Sequence, residues 1–438
     1  MITFYSTNKK IKAVTFQEAL FRGMPEDNGL FMPSRIPIMD SNFFAKADKI
    51  SFQDIAFEVA RNFLAGEIPE AVLREIIDDS INFDAPSVKL EENLYVMELF
   101  HGPTLAFKDF GARFMARVMS YFAGNMNREI YILVATSGDT GSAVASGFLN
   151  IPGIRVIILY PSGKVSSIQE KQLTTHGNNI TAIEIDGTFD DCQKLVKEAF
   201  MDKELTGKLL LTSANSINIA RLIPQSFYYF YACSRVKDRP VVFSVPSGNF
   251  GNLTAGLIAK KMGLAVHKFI ASTNINDIVP HYLKTGQFIC KPSKKTVSNA
   301  MDVGNPSNFA RILSLYNSDI NKIREDVAGY SFTDEETCKA ISELYEKTGY
   351  ILDPHGATGY LGLKEYEKEH KGNFNRIFLE TAHPAKFMDI IEPVIKIPIE
   401  IPERLKEVLN KEKKSVFMAN DMDTFKSYLL NCNVSYWD

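Results

Sequence analysis

The chain has 438 residues, 45% hydrophobic and 23% charged, the proportions of a globular protein with room for two or three domains and a large buried core. With 49 basic against 52 acidic residues the net charge is −3, which gives no reason to expect nucleic acid or a membrane surface as a partner. No run approaches the roughly 18 apolar residues of a membrane span, and Met1–Lys10 carries no apolar signal core, so the expected location is the cytoplasm.

Cys192, Cys233, Cys290, Cys338 and Cys432 are odd in number and far apart, with no CxxC or zinc spacing. They read as reduced thiols, mostly core filler. The histidines are equally scattered, and no metal is expected.

Residues 1–95 read as mainly helical, with three-four apolar spacing at Thr15–Arg22, Ser51–Leu64 and Pro69–Ile81. Asn28–Pro33 is a turn with an apolar tail, and Val88–Leu99 a pair of short strands. Phe100–Arg113 follows, where a Gly-Pro turn leads to Lys108 between Phe107 and Phe110. The four-residue spacing of Phe110, Phe114 and Val118 places Lys108 at a helix start. A lysine in apolar surroundings has a lowered pKa and can form a Schiff base with a carbonyl.

From Glu129 the pattern becomes strand, turn, helix. Strands are expected at 130–135, 155–160, 180–185 and 209–212, then at 241–245, 268–272 and 376–380. Continuous apolar runs alternating with helices predict two doubly wound, mainly parallel sheets covered on both faces, plus the mainly helical N-terminal segment. The expected division is 1–98, a smaller α/β domain at 99–225, and a larger one at 226–438, with 395–438 a peripheral tail. Lys291–Asn308 is the longest irregular stretch, either a loop near the active site or a surface connection.

Three turns carry chemistry. Thr136-Ser137-Gly138-Asp139-Thr140-Gly141 joins strand to helix, and is either an anion site or a helix cap with a glycine turn. Ser213–Arg221 gathers two asparagines, two serines and an arginine, a set suited to an anion; Pro224 kinks the following helix or marks its true start. Ser247-Gly248-Asn249-Phe250-Gly251-Asn252 lies between strand and helix, where backbone N–H groups bind phosphate, although many such turns are merely tight. It lacks the Lys-Ser/Thr ending of a P-loop. Two anion sites, one packed lysine and an Arg-amide cluster suggest pyridoxal phosphate on Lys108.

The chain resembles the threonine synthases of bacterial and fungal type, in the tryptophan-synthase-β-like group of pyridoxal-phosphate enzymes. The resemblance is most specific at His101–Phe110, Thr136–Gly141, Ser247–Asn252 and Thr381–Phe387. It implies that Lys108 carries the cofactor between the domains, that Gly248, Asn249, Phe250, Gly251 and Asn252 hold its phosphate, and that Thr381 faces the pyridine nitrogen. Asp139 stands beside the phenolic oxygen, where asparagine is commoner in the wider group. The implied reaction turns O-phospho-L-homoserine and water into L-threonine and phosphate, with Lys108 as base. By resemblance and chemistry, Ser137, Gly138 and Thr140 are expected at the substrate carboxylate, and Asn215, Ser216 and Arg221 at the leaving phosphate. A monomer or homodimer is expected.

A serine/threonine dehydratase or a cysteine-synthase-like enzyme would use the same cofactor site, but neither substrate has a phosphate for Arg221. A non-catalytic phospho-ligand-binding homologue would not need Lys108 and Thr381.

Overall fold

The computed structural model describes residues 1–124, 128–136 and 138–432. Its strands are β1 (Phe4–Ser6), β2 (Phe31–Pro33), β3 (Ser87–Glu91), β4 (Leu94–Glu98), β5 (Ile130–Ala135), β6 (Ile154–Pro161) and β7 (Ile180–Asp186). Then come β8 (Leu210–Ser213), β9 (Val241–Pro246), β10 (Val266–Thr273), β11 (Val327–Ser331), β12 (Asn375–Glu380) and β13 (Val416–Ala419). Every residue of β5 and β9 is buried. That is why these strands read as unbroken apolar runs: parallel sheets covered by helices offer no wet face for alternation.

The larger sheet has the order β11-β10-β9-β12-β4-β3, parallel throughout except for the β3–β4 pair. The smaller has the order β13-β7-β6-β5-β8 and is wholly parallel. The doubly wound expectation is met.

In the N-terminal segment the helices Phe16–Arg22, Phe52–Leu64 and Glu70–Ser80 form where the spacing predicts. Capping boxes Thr15/Glu18 and Ser51/Asp54 start the first two by satisfying free N–H groups reciprocally. The apolar tail after Asn28 is strand β2, which pairs with β1.

Residues 395–432 depart from the peripheral tail expected of 395–438. Strand β13 extends the smaller sheet beside β7, and the helix Met422–Asn431 buries Phe425 and Leu429 in that sheet's core. Lys413 anchors the return with ion pairs to Glu170 at 2.8 Å and Glu184 at 2.6 Å. The charged composition hides this because only alternate residues of an edge element face inward. Among the described residues no helix is long and apolar enough to cross a membrane.

Candidate active site

Lys108 is the first residue of the helix Lys108–Ala123, whose buried face carries Phe110, Phe114, Val118 and Phe122. The turn before it is tight. The Asp109 carboxylate accepts the Thr104 N–H at 2.8 Å and the Thr104 hydroxyl at 2.7 Å. A Cβ on Gly102 would lie 2.5 Å from Asp109 Oδ2, so glycine is required there. The Phe107 N–H donates to the Thr381 carbonyl at 2.9 Å and the His383 N–H to Leu105 at 3.1 Å, which brings the lysine segment beside the segment after β12. Lys108 Nζ sits 4.3 Å from the Phe107 ring centroid. Burial, helped by the charges of Arg221 and Lys386 and opposed by Asp139, pushes its ammonium down to about 8.

Asp139 begins the helix after β5. Its Oδ1 accepts from Lys386 Nζ at 2.6 Å and from Gln169 Nε2 at 2.9 Å. Burial raises its carboxyl, but Lys386 and Lys108 outweigh burial and hold it below the ordinary carboxylate value. Asp139 is therefore ionised. Thr136 Oγ1 accepts the N–H groups of Gly138 at 3.0 Å and Gly141 at 2.9 Å, so the Gly138 amide is already engaged. Ser137 lies outside the described residues.

The turn after β9 exposes its backbone by an unusual step. Phe250 adopts φ 61°, ψ 12°, a left-handed conformation rare for a bulky residue, and its ring packs edge-on to Phe309. Gly248 is pressed against the Asn299–Met301 turn, where a Cβ would meet Ala300 O and Met301 Cα at 2.7 Å. Asn252 Oδ1 accepts the hydroxyls of Tyr228 at 2.6 Å and Tyr229 at 2.7 Å, while its buried Nδ2 has no partner. The Asn249 side chain turns the other way, donating to Ser216 Oγ at 2.8 Å.

In the third cluster Asn215 Nδ2 donates to the Ala135 carbonyl at 2.8 Å. Arg221 is 1% exposed, donates one N–H to the Ala214 carbonyl, and keeps a buried Nε with no partner. Burial lowers its guanidinium to about 10, so it stays charged at neutral pH. Pro224 lies in a 3-10 turn, Ile223–Ser226, that joins the helices Ile219–Leu222 and Phe227–Arg235.

These groups surround one cavity of about 390 Å³ reached from both sheets. Every expected site residue lines it except Gly138 and the undescribed Ser137.

The chain matches the family model for pyridoxal-phosphate dependent enzymes over residues 81–378, and those for the threonine synthase N terminus and C-terminal region over 3–81 and 356–429. It is 41% identical to threonine synthase of Escherichia coli (strain K12), covering 98% of this chain and 99% of that one. Against the Haemophilus influenzae threonine synthase the figures are 44%, 98% and 100%. The chain belongs to the threonine synthase family. The crystal structure of the Escherichia coli enzyme superposes with a TM-score of 0.92 over 98% of this chain and 100% of that one, at 41% identity. A pyridoxal-phosphate-bound threonine synthase from Brucella melitensis gives 0.93 over 99% and 100%, at 33% identity.

The residues present fit the family's cofactor. A buried amide with both carbonyl lone pairs filled and its N–H groups unmatched, as at Asn252, is costly unless an anion takes those donors. The cradle around Gly248 admits backbone contact that any Cβ would block, and Lys108 carries the lowered pKa that imine formation needs.

Several site groups escape the sequence reading. Lys386 stands in the Thr381–Phe387 motif with no role assigned, although a lysine between Ala385 and Phe387 in an apolar run was a usable signal. For Lys291–Asn308, expected as either a loop near the site or a surface connection, the first reading holds: it lines the cavity through 291–293, 299–305 and Ser307. His355, also lining it, lies 2.5 Å from Asp353 Oδ1 through Nδ1 and accepts the Ala300 N–H at Nε2 at 3.2 Å. An N–H aimed at Nε2 puts the ring proton on Nδ1. Asp353 Oδ2 in turn accepts the Ala382 N–H at 3.2 Å. His355 thus ties the turn under Gly248 to the Thr381–Ala382 strand end.

Proposed function

We propose that the protein converts O-phospho-L-homoserine and water to L-threonine and inorganic phosphate, with pyridoxal 5'-phosphate as cofactor. The observation that carries this reading is a second cation in the cavity proposed for the cofactor: Arg221, a buried guanidinium, lines it together with Ser216 and Asn215. A dehydratase or β-replacement enzyme acting on an unphosphorylated amino acid has no use for such a buried cation, since burying a charge without a partner is costly.

Lys108 would hold the cofactor aldehyde, the Gly248–Asn252 turn its phosphate, Thr381 its pyridine nitrogen and Asp139 its phenolic side. When bound, the cofactor supplies an electron sink for charge left by departing protons. Lys108 would be the base that takes protons from the substrate's Cα and then Cβ. Its lowered pKa leaves part of the amine neutral near physiological pH, which suits a general base. Arg221, Ser216 and Asn215 bear the phosphate as it leaves Cγ. Water adds at Cβ and protons return at Cα and Cγ. Thr140, which lines the cavity, would bind the substrate carboxylate, and closure of the smaller sheet's unit over the larger would keep water out until addition.

The direct test is phosphate release from O-phospho-L-homoserine with the amino-acid product identified. Stoichiometric threonine supports the reading, and phosphate release with any other product overturns it.

A further inference from the structure

Ser216 Oγ accepts two amide N–H groups, from Asn249 Nδ2 at 2.8 Å and Asn308 Nδ2 at 3.2 Å. Neither amide is free to flip. Asn249 Oδ1 accepts the Ser307 N–H at 2.7 Å, and Asn308 Oδ1 accepts Arg311 Nη1 at 2.6 Å. In each case a donor pins the oxygen, so the nitrogen must face Ser216. A hydroxyl has two lone pairs and one hydrogen; with both lone pairs taken, the hydrogen must be donated. No described residue accepts it, and Ser216 lines the cavity.

Arg311 stands behind this arrangement. It is fully buried and makes no ion pair among the described residues. Its N–H groups go to the carbonyls of Phe31 at 3.1 Å, Ser216 at 3.2 Å and Ile217 at 2.6 Å, besides the Asn308 oxygen. One guanidinium therefore holds both the backbone of Ser216 and the amide that addresses its side chain.

We propose that Asn308, held by Arg311, acts with Asn249 to make the Ser216 hydroxyl a one-way hydrogen-bond donor to the substrate's phosphate. Asn308 and Arg311 are positioning residues that act through Ser216. This rests on the reading that the 215–221 cluster faces that phosphate. It adds two residues remote in sequence, and it gives the direction of the Ser216 bond.

Asn308→Asp is the discriminating variant. It is nearly isosteric and keeps an oxygen for Arg311. Its second carboxylate oxygen accepts where the amide donated, so the Ser216 proton turns away from the cavity. The measurement is the calorimetric Kd of inorganic phosphate for the holoenzyme, in which cofactor fills the Gly248–Asn252 turn. Because it needs no turnover, it reads separately from the product test above. Ser216→Ala and Asn308→Asp are each expected to weaken phosphate about 10- to 100-fold, the loss of one hydrogen bond to a charged group. In the double variant Asn308→Asp is expected to add less than about threefold, because the hydroxyl through which it acts is gone. Asn308→Asp with unchanged phosphate affinity would make Asn308 a structural partner of Arg311 only and overturns the proposal. So does an undiminished effect of Asn308→Asp in the Ser216→Ala background, which would be simple charge repulsion. If Asn308→Asp fails to fold, Ser216→Ala decides alone: affinity within about threefold of the parent overturns the proposal.

Discussion

Lys386 Nζ lies 2.6 Å from Asp139 Oδ1, with both side chains almost wholly out of solvent. The lysine follows β12 of the larger sheet and the aspartate follows β5 of the smaller, so the pair is a charged strut between the two sheets. Lys386 also donates to the Thr104 carbonyl at 3.0 Å, in the turn that delivers Lys108.

Removing one partner of a buried ion pair leaves an uncompensated charge and costs about 3–5 kcal/mol. Lys386→Met is therefore expected to lower the thermal midpoint sharply. It also removes a cation that depresses Lys108 and leaves Asp139 to act on Lys108 alone. Both changes raise the Lys108 pKa. The pH midpoint for borohydride-trapped cofactor should move above that of the parent, and a midpoint that stays put would contradict the charge network.

The Lys108 ammonium, pushed down to about 8 by burial first and by Arg221 and Lys386 next, is protonated below that pH and nucleophilic above it. In the apoprotein, the rate of cofactor capture should climb about tenfold per pH unit up to roughly pH 8 and then level off. An ordinary lysine would keep climbing towards pH 10. Lys108→Ala should abolish both capture and turnover, and threonine formation at parental rate would remove Lys108 from the mechanism.

Arg221→Ala tests the second anion site. Losing one partner of a desolvated charged contact costs about 2–5 kcal/mol, or roughly 30- to several-thousand-fold in kcat/KM for O-phospho-L-homoserine. On the proposed reading the cofactor phosphate is held by the Gly248–Asn252 turn, so cofactor affinity should fall far less than turnover, while loss of the Arg221 charge should raise the Lys108 pKa as loss of Lys386 does. Equal losses on phosphorylated and unphosphorylated substrates would move Arg221 elsewhere.

Gly248→Ala places a methyl 2.7 Å from Ala300 O and Met301 Cα, backbone on both sides. Such overpacking costs typically about 1–3 kcal/mol. Because the strain falls on the cradle itself, cofactor affinity should drop more than overall stability. Equilibrium dialysis of cofactor beside a melting curve separates the two.

Glu380 is fully buried; its Oε1 accepts the Asp353 N–H and its Oε2 has no hydrogen-bond partner. Burial, then Asp353 and Glu98, hold its carboxyl well above the ordinary value, so it is protonated in the folded protein. The unfolded chain releases that proton above about pH 4.5 and the folded chain keeps it, so this group's contribution to stability falls as pH rises. Glu380→Gln is neutral in both states. Its stability advantage over the parent should widen from pH 5 to pH 8 at up to about 1.4 kcal/mol per pH unit. A gap that does not change with pH would show Glu380 ionised in the native state.

Much of this molecule is legible in local sequence. The apolar runs of β5 and β9, the four-residue spacing after Lys108 and the glycine turns at 138 and 248 each encode structure through contacts a few residues apart. Backbone hydrogen bonding and side-chain periodicity operate on that scale. Lys108 between two phenylalanines, and Gly-Asn-Phe-Gly-Asn between strand and helix, are each ambiguous alone and point to a site only when read together with the Arg-amide cluster.

Only the tertiary structure decides the rest. Nothing near Lys386 says that its partner is Asp139, and Arg311, on the helix Phe309–Leu315, carries no mark of its hold on Ser216. The tyrosines that turn the Asn252 amide come from a separate helix, and β13 finds its place only because β7 leaves an edge unpaired. A buried charge or amide is satisfied by whatever the packing of the two sheets brings within about 3 Å, and that distance is a property of the assembled layers. The sequence determines which groups need partners; the fold determines which ones they get.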